Sequence, residues 1–80
     1  MSRAFEELVG FIASRPSAYN WIAFRASGEA QFRVSQLLNA ERETGLSEED
    51  TSELDEYLRL EHVVRIAKAH ARLMLQRATG

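Results

Sequence analysis

Two histidines, a run of acids and a short basic stripe are the residues of this chain with chemistry to offer. His62 and His70 stand eight residues apart. On a helix that is about two turns, or ~12 Å, and the two rings do not fall in line. One helix therefore cannot set both on a single metal ion, and the Glu-x-x-His spacing of carboxylate metal sites is not present. Glu61 beside His62 is no dyad, because neighbours on a helix point about 100° apart. It is placed instead to pair with Arg65 at i, i+4. The serines fall at caps and helix ends, none with an identifiable histidine base, and there is no glycine-rich phosphate loop. Nothing argues for a catalytic residue, a metal or a cofactor, so a non-enzymatic protein is expected. Arg65, Lys68 and Arg72 share a stripe that could touch phosphates. On a chain of net charge -2 one short stripe is thin support for nucleic acid, and a solvated or ion-paired role fits it better.

The elements that carry these residues read as helices. One proline and four glycines punctuate 80 residues, and 45% of the chain is hydrophobic, which suits a single helical domain over 1–80. Ser2 can cap a first helix with the stripe Phe5, Leu8, Val9 and Ile12, ended by Arg15-Pro16. Residues 17–26 are ambiguous. Trp21 to Phe24 could form a short strand, but Tyr19, Ile22, Ala23 and Ala26 fit a helical stripe behind a Ser17 cap, and a short helix is favoured. Ser27 caps the next helix, with Ala30, Val34, Leu37 and Leu38 on one face and a Glu29–Arg33 pair at i, i+4. Phe32 lies nearly opposite that face. We expect it to meet the aromatic segment 19–24; the sharper alternative is an exposed anchor for a partner.

Gly45 reads as a left-handed helix stop followed by Leu46. Ser47-Glu48-Glu49-Asp50 is a capping-box variant that starts a new helix. No breaker follows until Gly80, so residues 48 to about 77 read as one helix. It would span roughly 45 Å, longer than a compact domain of this size. Along it Tyr57, Leu60, Val64, Ala67, Ala71, Met74 and Ala78 alternate spacings of three and four, a coiled-coil-like seam rich in small residues. Ile66, Ala69 and Leu73 lie on roughly the opposite side. Intrachain packing would account for one apolar side; two invite a second copy. The same helix is acidic over 48–61 and basic over 62–80, which suits two helices packed antiparallel, with Arg65, Lys68 and Arg72 facing the acids of the other chain.

Disulfides and thiolate sites are excluded because there is no cysteine, and a reducing compartment is allowed. No membrane-length apolar run occurs, and the opening residues carry acids where a secretory signal needs positive and apolar regions. The expectation is a cytoplasmic protein, associating with itself or with another, unidentified protein.

From Ser27 onward the chain resembles a group of small uncharacterised bacterial proteins. The residues that carry the likeness are Arg33-Val34-Ser35-Gln36-Leu37-Leu38, Gly45-Leu46-Ser47-Glu48-Glu49, Glu53-Leu54-Asp55-Glu56-Tyr57-Leu58-x-Leu60-Glu61-His62, and Ala67-Lys68-Ala69-x-Ala71-Arg72. Phe5-Glu6-Glu7-Leu8 and Ile22-Ala23-Phe24-Arg25 extend it. Ala26 stands where the group has proline. The resemblance implies an all-helical type and no activity. A weaker likeness is to ribbon-helix-helix antitoxins, where a strand precedes two helices joined by a glycine turn. That likeness implies a DNA-binding regulator, read through polar strand side chains, whereas residues 21–24 here are mostly aromatic and aliphatic.

Overall fold

The computed structural model describes residues 2–78 in full and the backbone of Thr79. Four helices are found among them: α1 (Arg3–Ala13), α2 (Ala18–Ala23), α3 (Gly28–Glu43) and α4 (Glu48–Thr79). No strand occurs among the described residues. The expected all-α architecture with one dominant C-terminal helix is the one observed. Residues 18–23 are helical and residues 24–27 are irregular, so the strand that a ribbon-helix-helix fold would lay in a DNA groove is not formed.

Each helix begins at a serine, and the reason is local. The Ser2 hydroxyl accepts the Phe5 N–H at 3.1 Å, Ser27 accepts the Ala30 N–H at 3.2 Å, and Ser47 accepts the Asp50 N–H at 3.1 Å. Each satisfies one backbone donor that the first turn leaves without a partner. The full reciprocal box forms at Ser17, where the Asn20 carboxamide oxygen accepts the Ser17 N–H at 3.0 Å while the Ser17 hydroxyl accepts the Asn20 N–H at 3.1 Å. It was expected at Ser47 instead. There the Asp50 carboxylate turns to Arg33, a stronger charge-assisted partner.

The stops are also local. Arg15 adopts φ 56°, a left-handed conformation that turns the chain sharply ahead of Pro16. Gly45 ends α3 at φ 84°, and its N–H donates to the Ala40 carbonyl at 2.8 Å. A Cβ added at Gly45 would meet no atom within 4 Å, so the backbone conformation alone requires glycine. Gly45→Ala is therefore expected to lower stability by about 1 kcal/mol, read as a shift of the urea midpoint. An unchanged midpoint would mean that this turn tolerates a side chain.

α4 is the spine. Its 32 residues correspond to about 48 Å of helix, and the molecule measures 51 × 22 × 19 Å. The radius of gyration is 15.0 Å, against about 12 Å for a compact chain of this length. α3 returns along α4 as the second arm of a helical hairpin. α1 runs beside α4 in the same direction: Ser2 donates to Glu56 at 2.9 Å, and at the far end Phe11 stacks on Phe24, whose carbonyl receives Lys68 Nζ at 2.7 Å. α2 makes the most extensive contact with α4. The core is thin. Among the described residues its buried members are Leu8, Ala30, Leu37, Leu54 and Ala71.

Ion pairs tie the short helices down. Arg33 pairs bidentately with Glu53 (Nε to Oε2 and Nη2 to Oε1, both 3.0 Å) and reaches Asp50 at 3.1 Å. The expected Glu29–Arg33 pair gives way to this arrangement, because an exposed i, i+4 pair contributes only a few tenths of a kcal/mol. Glu29 pairs with Arg3 at 2.8 Å instead. Glu7 joins α1 to the start of α3, accepting the Ser27 N–H at 2.8 Å, the Ser27 hydroxyl, and Arg3 Nε at 3.0 Å.

The hydrogen bond from the Ser27 side chain holds the Glu7 carboxyl below its ordinary range, with Arg3 adding to it against the opposing effect of burial. A depressed folded-state pKa stabilises the fold above the unfolded value and is lost as pH falls through the folded one. The unfolding midpoint of the parent should then drop more than that of Glu7→Gln as pH falls from about 6 to about 3, a range bracketing the ordinary glutamate value of about 4.3. Parallel curves for the two proteins would assign Glu7 no part in acid sensitivity.

Candidate functional site

The seam expected to pair two chains is largely used inside one. Ala71 is 2% exposed, and Tyr57, Leu60, Val64 and Ala67 are half-buried, while Met74 and Ala78 are exposed. Lys68 meets the C-terminal end of α2, so the next turn of α4, with Ala71, lies under α2 itself. The small side chain allows this close approach. Tyr57, Leu60 and Val64 line an open groove of about 520 Å³ that Leu8, Val34 and Phe24 complete.

The three basic residues have separate environments. Arg65 is exposed and pairs with Glu61 at 3.3 Å, as its spacing predicts. Lys68 is half-buried, and its ammonium donates to the Phe24 carbonyl, closing the end of α2 where the helix dipole favours a cation. Arg72 is exposed. Of the three, two already have partners within the chain.

Phe32 does not meet the aromatic segment. It is 65% exposed, and the aromatic cluster recruits Phe11 in its place: the Phe11 ring lies 4.9 Å from Trp21, edge to face, and 4.4 Å from Phe24. The cause is the parallel course of α1, which brings its Phe11 end to the aromatic segment. That arrangement was not legible from the stripe Phe5, Leu8, Val9 and Ile12. Of this stripe only Leu8 is fully buried, and Val9 and Ile12 are exposed.

The groove holds Arg25, Gln31, Tyr57, Glu61 and Lys68 near an apolar floor. Burial first, and the Glu61 carboxylate second, raise the Tyr57 phenol above its ordinary range. Lys68 is engaged by the Phe24 carbonyl and Glu61 by Arg65. Among the described residues no three His, Cys, Asp or Glu side chains gather as a metal site, and no helix is long and apolar enough to cross a membrane. His62 and His70 are both exposed.

What stands open is the outer side of α4. Val63 is 50% exposed, Ile66 and Leu73 47% each, and Met74 62%. Ala69 is exposed among them, and Leu58 lies nearer the N-terminal half. Near it Phe5 of α1 shares a surface groove with Leu60, and Val9 of α1 is 47% exposed. Glycines, charges and caps do not interrupt the stretch from Val63 to Met74 except at Arg65, Lys68, His70 and Arg72, of which Lys68 points to the inner side.

The chain matches no protein-family model, and neither a curated protein nor a solved structure is similar to it.

Proposed function

We propose that this chain is a protein-interaction module that associates with itself through the outer face of α4. One observation carries the reading: four large apolar residues, Val63, Ile66, Leu73 and Met74, remain about half exposed on a helix that runs the length of the molecule. Fully burying such a side chain is worth about 1.5–3 kcal/mol, so covering the remaining half gains roughly 1 kcal/mol each. A symmetric pair gains that twice over. The sum is comparable to the association cost of about 4–15 kcal/mol, which favours a concentration-dependent pair over a permanent one. Ala78, the other part of the original seam still open, borders this face and would extend it.

Sedimentation velocity tests the reading. Between about 1 and 100 micromolar, the range of weak association, the parent should move from monomer towards dimer. Ile66→Glu and Leu73→Glu should each hold it monomeric with an unchanged helical circular-dichroism spectrum. A parent that remains monomeric throughout refutes self-association.

A further inference from the structure

Resting on that self-association, we propose that the second copy lies antiparallel across α4, with the two-fold axis close to Ile66. The exposed large apolar residues of α4 run from Leu58 to Met74, eight residues to either side of Ile66. Asp55 and Arg77, both exposed, stand eleven residues before and after it. Eleven residues are close to three full turns, about 16 Å, so Asp55, Ile66 and Arg77 lie along one line of the outer face. The arrangement is an apolar centre with an acid at one end and a base at the other.

An antiparallel copy turned about Ile66 sets Asp55 level with Arg77 of the second copy, and does so twice. It also sets Arg59 level with Leu73, where the arginine stem can cover the leucine while its head stays in water. A parallel copy also covers Ile66 and sets Leu73 on Leu73, so apolar packing is compatible with both arrangements and the charges choose between them. It brings Asp55 to Asp55, Arg59 to Arg59 and Arg77 to Arg77. Exposed pairs are individually weak and screened by salt, but orientation follows the difference between two attractions in one arrangement and three repulsions in the other. Asp50 and Glu53 are already engaged by Arg33, and Lys68 by a carbonyl. That leaves the orienting role to the outer line and not to Arg65, Lys68 and Arg72. Arg65 comes level with Ala67 of the second copy, close to that copy's own Arg65, and Glu61 travels with each arginine and offsets the repulsion.

The chain contains no cysteine, so introduced thiols are the only ones. Asp55→Cys and Arg77→Cys lie at exposed positions, and a mixed dimer of the two retains one native Asp55–Arg77 pair. Air oxidation of the mixture, read by mass spectrometry, should give the mixed disulfide in large excess over either symmetric one. Each variant oxidised alone should stay uncrosslinked. Symmetric disulfides in the separate variants would show a parallel pair and overturn the proposal. So would the absence of any disulfide from the mixed variants when the parent sediments as a dimer, since the contact would then lie elsewhere. A parent that sediments only as a monomer overturns the underlying self-association, and the sedimentation run separates that failure from the other two.

Discussion

Leu37→Ala should cost the fold about 2–5 kcal/mol, the range for truncating a fully buried leucine. Leu37 is 1% exposed, the most deeply buried large side chain described. It sits on the α3 arm of the hairpin, and the core has few other members to close the space it leaves. The effect is large against the whole. A chain of this length has a stability of roughly 4–12 kcal/mol, so the variant approaches the limit of folding at room temperature. Leu38, next in sequence and 42% exposed, provides the control. Leu38→Ala should lower the urea midpoint by less than half as much. Equal shifts for the two would mean that α3 packs with a different face inward.

The second large effect is expected from adding bulk. Ala71→Leu introduces three heavy atoms beneath α2, where the alanine is 2% exposed. Overfilling a packed site costs about 1–3 kcal/mol. The helix has only six residues, Ala18–Ala23, and yields more easily than α4. Displacing it should open the cluster of Phe11, Trp21 and Phe24. Trp21 is the single tryptophan of the chain, so its fluorescence reports the change directly. A red shift of the emission together with a lowered unfolding midpoint is expected. The exposed position Ala78 serves as a comparison, since Ala78→Leu should leave the Trp21 emission where it is. An Ala71→Leu protein with the parent's emission and midpoint would show that α2 does not lie on this turn of α4.

Both results bear on what can be read from the chain before it folds. The boundaries of the helices were legible because each is decided by a few neighbouring residues. Ser2, Ser27 and Ser47 cap, Gly45 turns, and Arg15-Pro16 stops, all through contacts within about one turn of helix. The length of α4 followed in the same way from an absence of breakers. Residues 17–26 read ambiguously because a short aromatic run fits either period, and the Ser17–Asn20 box tips it to helix.

Which side of α4 meets which partner was not legible. The apolar period marks Tyr57, Leu60, Val64, Ala67 and Ala71, widened by Val63, as one face and Ile66, Ala69 and Leu73 as another, but period alone does not say which face the chain itself will cover. The tertiary structure decides it through distant residues: Lys68 closes the end of α2, Arg33 holds α3 to Glu53, and Ser2 fastens α1 at Glu56. Those links span 20 to 54 positions of sequence. The side chains of Arg33, Glu29 and Asp50 each had a local partner available and each took a distant one, because packing brought a better-placed charge within reach. Local hydrogen bonds and steric limits act between neighbours and are written in the order of residues. The covering of one apolar face and the exposure of another depend on how four helices share a limited surface, and only the folded chain determines that.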